Sequence, residues 1–458
     1  MASFYVENFG CRATQADGAA LERDLEARGL ARAQGAAEAG LVVLNSCTVT
    51  AAADRDVRAA IRRIHRENPA CRILVTGCYA QRAPEELAGL EGVSWVVGNS
   101  HKHQVAEIAT GSGFVPLAGL QAARPQDSRR DGGATSEIFV GDIFAHTQLL
   151  APPVFGAGAD HTRPNLKVQD GCDNRCSFCI IPYVRGQSRS LPQEEVLDQV
   201  RALVAVGYRE VVISGINLGR WGRDLAPESR FEELVRAILD GTELEKLRLS
   251  SVEPMDWTDE LIGMMAASPR VARHAHVPLQ TGSDRILRAM HRKYRPWHYE
   301  ERVRKIRAAL PAAAIGADVM TGFPGETDAD FEESRAFIAS LPFTYLHVFT
   351  YSSRPGTPSA EMPQQVPVEV ARERNRVLRE LAAEKNMAFR RGFVGGTLEA
   401  ITLDLSDGEW TEALTDNYLK LRLGGRHGAN QWVSVHIDAL TDDGLAGRIG
   451  SSDHRAIG

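Results

Sequence analysis

Cys172, Cys176 and Cys179 stand in a C-x3-C-x2-C spacing, directly after a short strand-like run at residues 165–169. Nothing else in the chain constrains its fold and chemistry as strongly. Three thiolates so close together can face one metal centre, and soft sulfur ligands select iron–sulfur clusters, zinc or Cu(I). A closed structural zinc site takes a fourth ligand, but the residues that follow are Ile180, Ile181, Pro182 and Tyr183. Three cysteines on a four-iron cubane leave one iron open, which suits a cluster that binds a substrate. A zinc knuckle is the competing reading, and the missing fourth ligand speaks against it.

The first region alternates strand and helix. Residues 4–9, 41–45, 72–76 and 95–97 read as strands, and residues 17–28, 54–66 and 101–108 as helices. Nearly continuous apolar runs such as 41–45 are typical of buried parallel strands, so a doubly wound parallel sheet is expected. Cys11 follows the first strand, Cys47 the second and Cys78 the third. Ligands of open α/β sheets bind beyond the carboxyl ends of the strands. Three strand exits that each release a cysteine therefore predict a second three-cysteine centre, again with an open iron. Cys71 precedes its strand, at the opposite edge, and reads as a packing residue.

Residues 111–164 form a linker, with Gly-, Pro- and Arg-rich stretches at 121–133 and 151–163 around one strand near 138–143. Six strand–helix units follow in residues 165–391, fewer than the eight of a closed barrel, so a partial (βα)6 barrel is expected. Polar, Gly-rich turns leave its strands: Ser214-Gly-Ile-Asn217, Ser250-Ser-Val-Glu253, Gln280-Thr-Gly-Ser283 and Thr321-Gly-Phe-Pro-Gly-Glu326. Singly, such turns are explained by helix capping, as at Ser283-Asp284 or Thr327-Asp328. Together above one cysteine loop they suit a ligand pocket, with Phe178, Gly215, Asn217, Ser250, Glu253 and Gln280 as candidate contacts. The loop resembles the signature of the radical S-adenosylmethionine (SAM) enzymes, and that resemblance implies SAM as the ligand. His276 either lines the barrel or is a hydrogen-bonded core residue.

Residues 392–458 alternate β-prone runs with Gly and Asp turns and predict a small antiparallel barrel, OB-like in scale. That region carries five basic residues against ten acidic ones, which counts against a simple RNA clamp. Better basic patches are Arg55, Arg58, Arg62, Arg63, His65 and Arg66 on one helix, and Arg288, His291, Arg292, Lys293 and Arg295 after the fourth barrel strand. The chain's net charge of −6 means that nucleic-acid binding must come from such patches. An odd count of seven cysteines, no signal-like start and no apolar run of membrane-spanning length point to a reducing cytoplasm, metal ligation and no membrane.

Phe178, just before the last cysteine of the loop, makes this stretch resemble the signature of radical SAM enzymes. Over nearly its whole length the chain resembles the methylthiotransferase family of those enzymes. The resemblance implies an auxiliary 4Fe–4S cluster on Cys11 in Asn-Phe-Gly-Cys, Cys47 in Val-Val-Leu-Asn-Ser-Cys-Thr-Val-Thr, and Cys78 in Leu-Val-Thr-Gly-Cys-Tyr-Ala-Gln. It implies a second, SAM-cleaving 4Fe–4S cluster on Cys172, Cys176 and Cys179, and a C-terminal TRAM-like barrel. The domains are then 1–110, a linker 111–164, 165–391 and 392–458.

Residues 169–185, 249–254, 278–284, 322–327 and 347–358 look closest to the branch acting on N6-threonylcarbamoyladenosine next to the tRNA anticodon. Sister branches act on isopentenyladenosine or on an aspartate of a small-subunit ribosomal protein. Thr14 departs from the family's usual Asn. The implied chemistry is radical activation of adenine C2, sulfur delivery from the auxiliary cluster and methyl transfer from a second SAM. The implied partners are the anticodon stem-loop, an electron donor and a sulfur source, neither of the last two named by the sequence. A zinc-dependent RNA-binding protein without catalysis is the rival of another class. Anaerobic reconstitution with iron and sulfide is expected to yield a coloured iron protein; a colourless, zinc-only product would exclude the radical chemistry.

Overall fold

The apolar runs of the first region become the buried strands of one parallel sheet. The structure, a computed structural model, describes residues 3–111, 136–146, 149 and 162–450. Strands β1 (Ser3–Asn8), β2 (Ala31–Arg32), β3 (Leu41–Ser46), β4 (Arg72–Gly77), β5 (Val93–Gly98) and β6 (Glu137–Phe139) lie in the order β2-β1-β3-β4-β5-β6. Helix α1 (Arg12–Ala27) buries Leu21 and Leu25 against Phe4, Val6, Val43 and Leu74 on one face. Helix α2 (Ala51–Glu67) sets Val57, Ile61 and Ile64 against Val42, Leu44, Ile73 and Val75 on the other. Helices on both faces make the sheet doubly wound, as expected. The strand expected inside the linker is β6, which pairs with Trp95–Val97 and extends this sheet. The Gly/Pro/Arg-rich stretches at 121–133 and 151–161 lie outside the described residues.

By its internal contacts the chain divides into two compact units. The first comprises residues 1–154, 169–190 and 352–360, the second residues 155–168, 191–351 and 361–458. Strand β7 (Asn165–Lys167) belongs to the second unit, while β8 (Gln169–Asp170) and β9 (Arg189–Ser190) pair antiparallel in the first.

In the second unit, β10 (Glu210–Ser214), β11 (Lys246–Leu249), β12 (His274–His276), β13 (Ala314–Thr321) and β14 (Tyr345–Thr350) continue from β7, all parallel. Single parallel bridges, Leu247–Val271 and Ser251–His276, join the β7-β10-β11 and β12-β13-β14 sheets into a six-stranded partial barrel. Helix Pro296–Ala309 was not among the expected helices. Its proline start and its buried Tyr299, Val303 and Ile306 at helical spacing are the local signals for it.

The C-terminal region closes into a barrel of β15 (Thr397–Ser406), β16 (Trp410–Thr415), β17 (Lys420–Gly424), β18 (Trp432–Leu440) and β19 (Leu445–Ile449), in the order β15-β16-β17-β19-β18. Its core is Ala400, Ala413, Leu421, Leu423, Val435, Ile437 and Leu445. One feature departs from the antiparallel expectation: β17 and β19 pair in parallel, which closure of the barrel requires of these two strands.

The turn after β16 seats against the amino ends of the parallel strands. Arg248, buried and 2.7 Å from Glu210, donates to the Asp416 carbonyl at 3.1 Å. Lys246 Nζ lies 3.3 Å from Asp416, Asn417 donates to Ala312 O at 3.0 Å, and the Tyr418 ring packs 4.4 Å from His274. Arg248→Met would strand a buried carboxylate, which costs about 3–5 kcal/mol in comparable pairs. Arg163, 3.4 Å from Glu210, shares that charge. A loss of about 3 kcal/mol in urea unfolding is expected, with faster proteolysis of the C-terminal barrel; unchanged values would refute this anchor.

Candidate metal centres

Strands β1, β3 and β4 are neighbours in register, with Asn8 beside Asn45 and Ser46 beside Gly77. A parallel sheet spaces neighbouring strands about 4.8 Å apart, so cysteines that follow these strands emerge side by side. Cys11 caps α1 and is exposed; Cys47 and Cys78 are buried. The backbones of Cys11 and Cys78 arrive through conformations that glycine permits. Gly10 has φ +108°, and a Cβ there would stand 2.6 Å from Cys47 Cβ. Gly77 has φ +100° and backs onto the Ser46 carbonyl. Burial, together with the Cys78 and Cys11 sulfurs, pushes the Cys47 thiol up to about 12. A thiol so placed ionises when a metal replaces its proton.

Asn45, fully buried, ties the strand ends together: it donates to Asn8 at 3.0 Å and to Thr14 O at 2.7 Å. The Thr14 hydroxyl lies 3.5 Å from Cys11 Sγ, so threonine keeps a polar contact to this sulfur. Thr48, next to Cys47, is fixed by Asp54 at 2.6 Å and, through its carbonyl, by Arg354 at 3.0 Å. Cys71 is buried among Ile73, Ile64 and Leu87, away from these groups, and burial raises its thiol.

The second trio rides on the loop between β8 and β9, in the same unit. Its three cysteines are partly exposed. The Cys172 amide donates to Gly186 O at 3.0 Å, and the Cys179 amide to Cys176 O at 3.1 Å. Phe178 is half-buried within this loop. Ile180 and Val184 pack against Cys78, and Asn99 donates to Cys78 Sγ at 3.5 Å and to Val184 O at 2.7 Å. A buried charge cluster lies beneath. Asp17 accepts from Lys102 at 2.9 Å and from Arg185 at 3.0 Å, and Arg185 donates to Asp170 at 2.9 Å.

At the strand mouths of the second unit, Gly215 and Asn217 occupy the turn after β10, Ser250 and Glu253 follow β11, and Gln280 follows β12. The Ser214 and Ser250 hydroxyls and the Gln280 carbonyl oxygen are buried without a hydrogen-bond partner. Gln280 is held at φ +71° by backbone bonds to Asp318 and Met320, the kind of strain that collects at ligand sites. Glu253 pairs with Arg292, which is buried, so Arg292 leaves the surface patch to which it was assigned.

The 321–326 turn is structural: Glu326 bonds Gly322 N at 2.7 Å and pairs with Arg374. Thr327 caps its helix, whereas the Ser283 hydroxyl donates to Asp330 at 3.0 Å. His276 faces Asp318 at 3.4 Å and the Ser251 hydroxyl at 2.7 Å, with His347 3.3 Å from the same carboxylate. Burial works against ionised Asp318, but the two imidazoles outweigh it and hold the carboxyl below the usual range.

Residues 166–338 match the model of the Radical SAM superfamily and residues 3–98 that of the Uncharacterized protein family UPF0004. The chain is 35% identical to the threonylcarbamoyladenosine tRNA methylthiotransferase MtaB of Aquifex aeolicus, over 94% of this chain and 99% of that one. It is also 35% identical to the Bacillus subtilis protein of the same name, over 93% and 91%. The chain belongs to the radical SAM methylthiotransferase family. A tRNA-2-methylthio-N(6)-dimethylallyladenosine synthase of Thermobifida fusca is 34% identical to this methylthiotransferase, over 95% and 83%. The radical SAM methyltransferase TsrM of Kitasatospora setae shares its fold, with a TM-score of 0.55 at 17% identity over 79% and 75%.

Membership makes SAM and a 4Fe–4S cluster cofactors of the methylthiotransferase. The residues present fit them: thiols gather at one sheet edge and on one loop, and orphaned oxygens stand at the strand mouths. Among the described residues, no helix of the methylthiotransferase is long and apolar enough to cross a membrane. Sequence reasoning missed Asp17, Lys102, Asn99 and Arg185. Only Arg185 fell within a stretch singled out for its resemblance. Gly10→Ala is expected to displace Cys47 and to lower the iron bound per chain of the reconstituted methylthiotransferase; full iron retention would show that the close approach is not needed.

Proposed function

We propose that this methylthiotransferase adds a methylthio group to C2 of N6-threonylcarbamoyladenosine next to the anticodon of tRNA. The observation that carries the reading is a pair of three-cysteine sets within one compact unit, in a chain aligned end to end with relatives named for that nucleoside. Cys172, Cys176 and Cys179 would hold one 4Fe–4S cluster, and Cys11, Cys47 and Cys78 a second. When bound, the first supplies the electron that cleaves SAM and the second the sulfur. The chain's own task is to hold these groups apart from water and in fixed orientation.

Ser250 and Gln280, with buried oxygens lacking partners, would bind SAM at the strand mouths together with Gly215 and Asn217. Phe178 would pack beside the first cluster. Glu253, paired with Arg292 and with its side chain 24% exposed, would be a further SAM contact.

The target base must leave its stack to react, which costs least in a single-stranded loop. Positive surface for the stem comes from elements other than the C-terminal barrel, where Lys420 and Arg448 are paired with Asp443 and Asp438. Arg55 and Arg62 of α2 are exposed, as are His291, Lys293 and the 56%-exposed Trp297, an aromatic ring suited to stacking. The enzyme would work in the cytoplasm, fed by an electron donor and a sulfur source.

A second reading, action on dimethylallyladenosine, rests on the Thermobifida fusca relative. Mass spectrometry of tRNA nucleosides from a deletion strain decides: loss of the methylthio form of threonylcarbamoyladenosine is expected, loss of methylthio-dimethylallyladenosine would favour the second, and no change would overturn a tRNA role. Cys176→Ala is expected to abolish SAM cleavage, while Cys47→Ala leaves cleavage measurable and stops sulfur insertion; equal loss of cleavage in both would contradict that division.

A further inference from the structure

We propose that Arg185 is a positioning residue that sets the reduction potential of the metal centre on Cys11, Cys47 and Cys78, its cation fixed by Asp17 and Asp170. The inference rests on the reading that this trio carries a cluster. Arg185 is 2% exposed and reaches both carboxylates at 2.9–3.0 Å. Those bonds occupy its two terminal nitrogens, while its Nε, also buried, meets no acceptor.

The helix that ends in Arg185, Ile181–Arg185, is held on Cys78 through Ile180 and Val184 and through the Asn99 bridge. Its charge is therefore not free to swing away. Negative charge on the Cys78 and Cys11 sulfurs would favour the Arg185 cation, and charge on Cys78 that of Lys102. Lys102 stands in the same short helix as Asn99, residues Asn99–Gln104, so both cations sit on elements that contact Cys78.

Reduction adds a negative charge to an iron–sulfur centre. A cation fixed nearby in a low-dielectric interior favours the reduced form and raises the potential. Removing the cation lowers it. Removing the carboxylate that neutralises the cation has the opposite sign, and general loosening of the site cannot produce both.

The test is an anaerobic EPR-monitored redox titration of the full chain reconstituted with both clusters, wild type beside R185M, R185K and D17N. The signal that changes on adding SAM is assigned to the Cys172 loop; the unchanged signal is the one read. R185M is expected to shift its midpoint to lower potential, R185K to stay near wild type, and D17N to shift it higher. An unshifted midpoint in R185M at full iron content, or shifts of one sign in R185M and D17N, would overturn the proposal. If R185M does not retain the cluster, the sign of the D17N shift decides. A wild-type chain with a single SAM-responsive cluster would instead remove the underlying reading of the N-terminal trio.

Discussion

A carboxylate with almost no access to water, Asp17, carries more of this architecture than any apolar contact. It is bound by Lys102 and Arg185, and through them it joins α1, the turn after β5 and the loop between β8 and β9. Burying an ion is expensive unless its partners are in place, and deleting one partner of such a set is strongly destabilising. The group therefore forms as a whole or not at all. When it forms, the loop bearing Cys172, Cys176 and Cys179 is held on the unit whose sheet edge releases Cys11, Cys47 and Cys78.

The legible part of the chain was the part governed by local periodicity. Residues 41–45 announced a buried strand because four apolar side chains stand in a row, Leu41 to Leu44, and β3 is buried throughout. The cysteines at the strand exits could be grouped because parallel strands have a direction and ligands gather at one end. The six barrel strands followed from the same logic. The closed C-terminal barrel followed from evenly spaced short strands, though not its parallel β17–β19 pair, which depends on closure and not on local pattern.

What stayed hidden depends on partners far away in sequence. Asp17 is an ordinary helical aspartate until Arg185 arrives from 168 positions later. Arg292 looked like a surface charge, since nothing in its neighbourhood shows that Glu253 neutralises it. Strand β6 looked like a linker element because the sheet it completes lies on the far side of a long connection. Thr14 read as a lapse beside Cys11, yet its hydroxyl meets that sulfur. In each case the sequence displays the residue types and omits the pairing.

The seating of the C-terminal barrel has a consequence for scale. Its β16–β17 turn rests under the amino ends of β11, β12 and β13, whereas the polar turns that would meet ligand leave the opposite ends. The longest of those strands, β13, has eight residues, roughly 26 Å at the usual rise of about 3.3 Å per residue. The small barrel is thereby held a fixed span from the strand ends that carry those turns, and lengthening or shortening β13 would change that separation.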